Sequence, residues 1–159
     1  PIVAVTSLGF SPAAAGLVML PGGLLMGLLA PVVGRLADRV SAARLTVPGL
    51  AAMAGASLGF ALLQPGDGLL LLALHLALAV GFAFTITPLY LGSLAAQPRE
   101  LVAHASALLS TVQQIAAGAG TIVVIAAAGL GSAVGFVVAA LLIGAAVVIQ
   151  GWPRRRRGQ

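Results

Sequence analysis

Five stretches of this chain exclude fixed charge altogether. Pro12 to Gly34, Leu45 to Gln64, Leu69 to Leu91, His104 to Ala128 and Ala133 to Trp152 contain no arginine, aspartate or glutamate, and lysine is absent from the chain. A helix that crosses a bilayer needs roughly 20 mostly apolar residues and must satisfy its backbone polar groups within the segment. Each stretch meets that length. The last two form one nearly uncharged run, too long for a single crossing, and "GLGS" at residues 129–132 divides it because glycines flanking a serine suit a tight turn. Only 7% of residues are charged, 60% are hydrophobic and mean hydropathy is +1.15, whereas soluble domains carry about 25% charge. Eleven charged side chains cannot cover the surface of a soluble 159-residue domain. The expected class is an all-α membrane protein with five transmembrane helices and a remnant of a sixth. Residues 1–11 are the end of a preceding helix and an outer loop, 12–152 the transmembrane bundle, and 153–159 an arginine-rich tail. An opening on Pro1, with neither an initiator Met nor a signal sequence, reads as a piece of a longer chain.

The connectors set the orientation. If Pro1 starts outside, "GRLADRVSAAR", "AAQPRE" and "WPRRRRGQ" are cytoplasmic, and "PGDG" and "GLGS" lie outside. All eight arginines (Arg35, Arg39, Arg44, Arg99 and Arg154 to Arg157) then fall inside, while Asp67 is the one charge outside. This is the asymmetry of the positive-inside rule, and it puts the C-terminus in the cytoplasm of a multi-pass cell-membrane protein. The arginines after the last span read as a stop-transfer anchor drawn to anionic lipid, at about 1 kcal/mol per charge. Nucleic-acid binding would require aromatic residues among them or a folded basic domain, and is not expected.

Two spans carry ordered faces. Gly16, Gly23, Gly27 and Gly34 lie at offsets of 0, 7, 11 and 18, within about 20° of one line on a helix. A face without side chains lets another helix approach closely, so these glycines are candidates for helix packing. Pro21 and Pro31 in the same span each remove a backbone hydrogen bond, which makes "LPGG" a candidate bend. In the fourth span Ser106, Ser110, Gln113, Ala117 and Gly120 share a stripe with Gln114 at its edge. Polar groups are costly against acyl chains, so the stripe should face protein or a water-filled cavity, as interhelical glue or as ligand contact. The third span adds His75, Phe82 and Tyr90 on roughly one side, with Thr85 and Thr87 before Pro88. His75 is the ionisable group within a span, either a proton site or a group that bonds a backbone carbonyl or interfacial water.

Enzyme chemistry finds no support. The spans hold no carboxylate, cysteine is absent, two histidines do not build a metal centre, and no glycine loop cradles phosphate. No cofactor is implied.

These segments resemble a known family. "SPAAAGLVMLPGGLLMGLLAPVVGRLADRV", "VGFAFTITPLYLGSL" and "HASALLSTVQQIAAGAGT" are similar, in order and spacing, to the later helices of the major facilitator superfamily, especially its fourteen-span multidrug efflux branch. The resemblance implies two six-helix halves rocking about a central site, this chain being the carboxyl-terminal half without most of its first helix. It implies that the third span lines the cavity, the first and fourth meet the missing N-terminal half, and the second and fifth are peripheral. "GRLADRV" corresponds to a cytoplasmic loop signature in which Gly34, Leu36, Asp38 and Arg39 match, Arg35 lies between, and Ser41 replaces a usual glycine. That loop is expected to gate. The implied function is proton-coupled export of small amphipathic or hydrophobic compounds, with His75, Phe82, Thr85, Tyr90, Gln113 and Gln114 as substrate-pathway candidates. A non-transporting membrane scaffold and a facilitator-type importer are the alternatives.

Overall fold

The computed structural model describes residues 4, 5 and 8–151, so the terminal arginine run falls outside the described residues. Five helices make up nearly all of it: α1 (Pro12–Ala37), α2 (Ala42–Ala61), α3 (Gly68–Ala95), α4 (Val102–Ala128) and α5 (Ser132–Gly151), with a 3₁₀ turn at Arg99–Leu101 leading into α4. Among the described residues there is no strand. Three helical segments, Pro12–Ala37, Gly68–Ala95 and Arg99–Ala128, are long and apolar enough to cross a membrane, and Ala133–Ala146 is a shorter apolar helix.

Local chemistry starts and stops these helices. Ser11 caps α1 by accepting a hydrogen bond from the Ala14 N–H at 3.2 Å, and Pro12 occupies a first-turn position where no N–H is needed. The helix passes Pro21 and Pro31 without interruption, so "LPGG" does not break it. The turn after α2 uses Gly66 at φ +99, a conformation that favours glycine, and Asp67 Oδ2 accepts from the Gln64 N–H at 3.0 Å.

Helix ends depart from the apolar boundaries. α1 continues to Ala37, so Gly34 and Arg35 belong to its last turn, and α2 begins at Ala42 with Arg44 in its first turn. Only Asp38 to Ser41 connect the two. Arginine is a good helix former whose long stem lets its charge reach water from a helical position, so the loss of apolarity does not end the helix.

α2 and α3 form the centre of the bundle. They cross at Gly49 and Gly81, both buried, where the backbones come so close that a Cβ on Gly81 would lie 2.5 Å from the Gly49 carbonyl oxygen. α1 packs on α3 through Gly22, which leaves room for the His75 ring. Phe60 of α2 stacks on Phe136 of α5 at a centroid distance of 5.3 Å. Gly135 of α5 lies against the Val124 carbonyl and Ala128 of α4. A small core of Ala4, Leu8, Ala15 and Leu71, flanked by Val18, Phe60 and Leu63, closes the end of the bundle where α1 and α3 begin. α4 has no buried residue at all.

Candidate cleft between the third and fourth helices

α3 and α4 touch little along their length, and the gap between them is an open cleft of about 500 Å³ lined by Phe82, Ile86, Ser110, Gln113, Gln114 and Ala117. On α3, residues 82 and 86 are one helical turn apart. On α4, residues 110, 113, 114 and 117 recur at three- and four-residue spacing, which brings them onto one face. One wall of the cleft is therefore aromatic and aliphatic. The other presents a hydroxyl and two amides, able to donate and accept without carrying charge. A second, smaller cleft of about 190 Å³ adjoins it and shares Ile86 and Gln113, with Leu89, Tyr90, Ser93, Leu109, Val112 and Ala116 completing its lining. Near their linked ends the two helices are joined by a hydrogen bond of 2.6 Å between the Tyr90 hydroxyl and Ser106 Oγ.

Four of the six pathway candidates thus come together: Phe82, Gln113 and Gln114 in the larger cleft and Tyr90 beside it. Two do not. Thr85 points away into the α2–α3 crossing, is 6% exposed, and donates its hydroxyl hydrogen to the Gly81 carbonyl at 2.8 Å with Met53 Sδ 3.9 Å away. Threonine within a helix commonly bonds back to the preceding turn, and this uses up the hydroxyl. His75 faces α1, with Nε2 3.1 Å from the Met19 carbonyl oxygen. A carbonyl only accepts, so Nε2 carries the hydrogen and donates it. Of the two sequence-level readings of His75, a partner for a backbone carbonyl is the one the geometry displays.

The glycines divide in an unexpected way. Gly16, Gly23, Gly27 and Gly120 have nothing within 4 Å of where a Cβ would stand, and Gly34 meets only Leu91 at 3.9 Å. Among the described residues, Gly16, Gly23 and Gly27 of the aligned α1 face meet no neighbouring helix, and only its last member, Gly34, approaches α3. The close approaches are made instead by Gly22, Gly49, Gly59, Gly81 and Gly135, which share no helical repeat with that face. Asp38, Arg35 and Arg39 are exposed, the Asp38 N–H bonds the Leu36 carbonyl at the end of α1, and among the described residues no ion pair holds the three together. Ile86 was missed from sequence, although its place one turn from both Phe82 and Tyr90 is a signal that it shares their side. Among the described residues, no three His, Asp or Glu side chains converge as metal ligands.

An all-helical bundle of apolar helices, with an uncharged amphipathic cleft between two of them, has the build of a multi-pass membrane transporter. The pattern of the Major Facilitator Superfamily matches residues 1–121, and the chain belongs to that family, one of transporters and not of enzymes. The lincomycin resistance protein LmrB of Listeria monocytogenes is 32% identical over 126 residues, covering 79% of this chain and 27% of its own length. LmrB of Bacillus subtilis is 33% identical over 113 residues, or 70% of this chain and 24% of the relative. The uncharacterized MFS-type transporter YcnB of Bacillus subtilis is 32% identical over 107 residues, or 67% and 23%. The chain spans about a quarter of the length of these curated relatives. No solved structure matches it significantly.

Proposed function

We propose that this chain is part of a proton-coupled exporter in a bacterial cell membrane, and that small amphipathic or hydrophobic compounds pass along the α3–α4 cleft. The observation that carries this reading is the lining of the cleft: Phe82 and Ile86 on one side, Ser110, Gln113 and Gln114 on the other. Such a surface takes up a compound with both an apolar body and a few polar groups, and it selects weakly among them. Lincomycin, named for two of the relatives, is the first compound to try. The exposed glycine face of α1 and the unburied α4 support an arrangement in which both helices meet a second half of the same protein. In this reading all five helices cross the bilayer, the arginine connectors are cytoplasmic, and the Gly34–Arg39 segment biases the switch between inward- and outward-open states.

The test uses the full-length protein that contains this segment, in inside-out vesicles with an imposed proton gradient. Lincomycin accumulation should depend on the gradient, and Gln113→Leu should raise its KM while leaving protein level and folding intact. Accumulation that ignores the gradient refutes proton coupling, movement in the opposite sense assigns an importer, and a Gln113→Leu protein with unchanged KM removes the cleft from the path.

A further inference from the structure

Besides the short connector of residues 96–101 that joins it to α3, α4 has two side attachments to the bundle. Toward its C-terminal end it leans on α5, where Gly135 makes room for the Val124 carbonyl and Ala128. Toward its N-terminal end Tyr90 of α3 and Ser106 of α4, 16 residues apart in sequence, form the 2.6 Å hydrogen bond. Between these attachments no residue of α4 is buried, so apolar packing does not fix its distance from α3. Ile86 stands one turn from Tyr90 and Gln113 two turns from Ser106, and these two residues line both clefts. They stand where the larger space adjoins the smaller one, in position to act as a partition between them. We propose that the Tyr90–Ser106 bond is a clasp that holds α3 and α4 at a set separation, which makes Tyr90 a positioning residue that limits how bulky a substrate the cleft accepts.

The chemistry favours that role over simple filling. A tyrosine ring has two side-chain torsions and reaches far from its helix, so its hydroxyl holds a partner at a defined distance with little entropy lost. A half-buried hydroxyl pair gains modestly from being joined and loses that gain when separated. Ser110 lies one turn beyond Ser106 on the same face of α4, within reach as a substitute partner once Ser106 is removed, so the phenol is the half of the clasp that cannot be replaced. Releasing the phenol lets the N-terminal part of α4 swing about its attachment to α5. Ile86 then parts from Gln113, the partition opens, and the two clefts merge into one wider space. The ligand class follows: amphipathic compounds with a rigid ring system too broad for the larger cleft alone. This inference rests on the exporter reading for its substrate arm and on geometry alone for its distance arm.

The experiment is run on the full-length protein in proteoliposomes, with spin labels on cysteines placed at Ser93 and Leu108, both exposed. In Tyr90→Phe, which keeps the ring and removes only the hydroxyl, the label–label distance distribution should lengthen and broaden. Ser106→Ala combined with Ser110→Ala should do the same, and Ser106→Thr, which retains a hydroxyl, should keep the wild-type distribution. Transport is read with flexible lincomycin and with the tetraphenylphosphonium cation, whose four rigid phenyl rings make it broad in every direction. Tyr90→Phe should raise the kcat/KM ratio of the rigid, broad probe over the flexible one by about two- to tenfold, the range that loss of one hydrogen bond spans. An unchanged distance distribution in Tyr90→Phe overturns the clasp. A longer distance with an unchanged probe ratio overturns the specificity role. If the wild-type protein moves neither probe, the exporter reading and the specificity role fall together, and the distance arm alone still decides whether the clasp exists.

Discussion

Replacing Gly81 with alanine should weaken the bundle more than any other single-methyl addition along α3. A Cβ built there lies 2.5 Å from the Gly49 carbonyl oxygen, 2.7 Å from Met53 Cγ and 3.1 Å from the Met53 nitrogen. Met53 Cγ can rotate away, but the other two atoms are backbone and move only with their helix. Ordinary contact begins near 3.4 Å, so α2 and α3 must separate locally by about 1 Å. Overpacking of this kind costs about 1–3 kcal/mol, and the same displacement disturbs the Thr85 hydroxyl bonded to the Gly81 carbonyl at 2.8 Å. Alanine recovers about 0.5–1 kcal/mol over glycine within a helix. The net expectation is a loss of about 1–2 kcal/mol. Gly55→Ala is the control, because Gly55 is exposed on α2, the other helix of the crossing, with nothing within 4 Å. Thermal denaturation of the purified full-length protein in detergent should give a lower midpoint for Gly81→Ala than for wild type, and a midpoint for Gly55→Ala at or slightly above wild type. A Gly81→Ala protein that melts with Gly55→Ala would refute the close crossing.

Four further outcomes are expected. Gly22→Ala should destabilise the protein because its methyl would overlap the His75 ring, and adding His75→Ala should restore part of the loss in the same melting assay. Gly27→Leu should impair transport more than Gly55→Leu does, because nothing of this chain lies within 4 Å of Gly27 and a large side chain there would push away the proposed second half; equal transport in the two would remove the reason to place the glycine face against a second half. Cysteine-accessibility labelling in intact cells should reach position 67 from outside and positions 39 and 99 only from inside, and labelling of 67 from the cytoplasm would sink the five-span arrangement. Asp38→Asn should lower the transport rate without reordering substrates, because exposed charges worth about 0–1 kcal/mol apiece can still bias a conformational equilibrium, and a reordered preference in vesicle assays would contradict a gating role.

The amino-acid sequence determined what depends on solvent. Long uncharged runs have one stable backbone arrangement in hydrocarbon, so helices were legible over all five stretches, and the turns were legible from glycine, proline and serine at "QPGDG" and "GLGS". The polar stripe of α4 was legible for the same reason: hydroxyls and amides in an apolar run must find a protein or aqueous neighbour, and Ser106, Ser110, Gln113 and Gln114 do lie toward α3. Tertiary structure decided which face meets which. In a soluble helix the apolar stripe marks the buried side, but these helices are apolar all round, and lipid and protein neighbours call for the same side chains. Periodicity therefore showed that Gly16, Gly23 and Gly27 share a line without showing that they face away from their own bundle. Gly22, Gly49 and Gly81 obey no common repeat, because close approach depends on where two particular helices cross. Thr85 and His75 looked like pathway residues for the same reason. Their hydroxyl and imidazole were polar groups in search of partners: Thr85 bonds back to the Gly81 carbonyl within α3, while only the placement of α1 against α3 settled that the partner of His75 was the Met19 carbonyl.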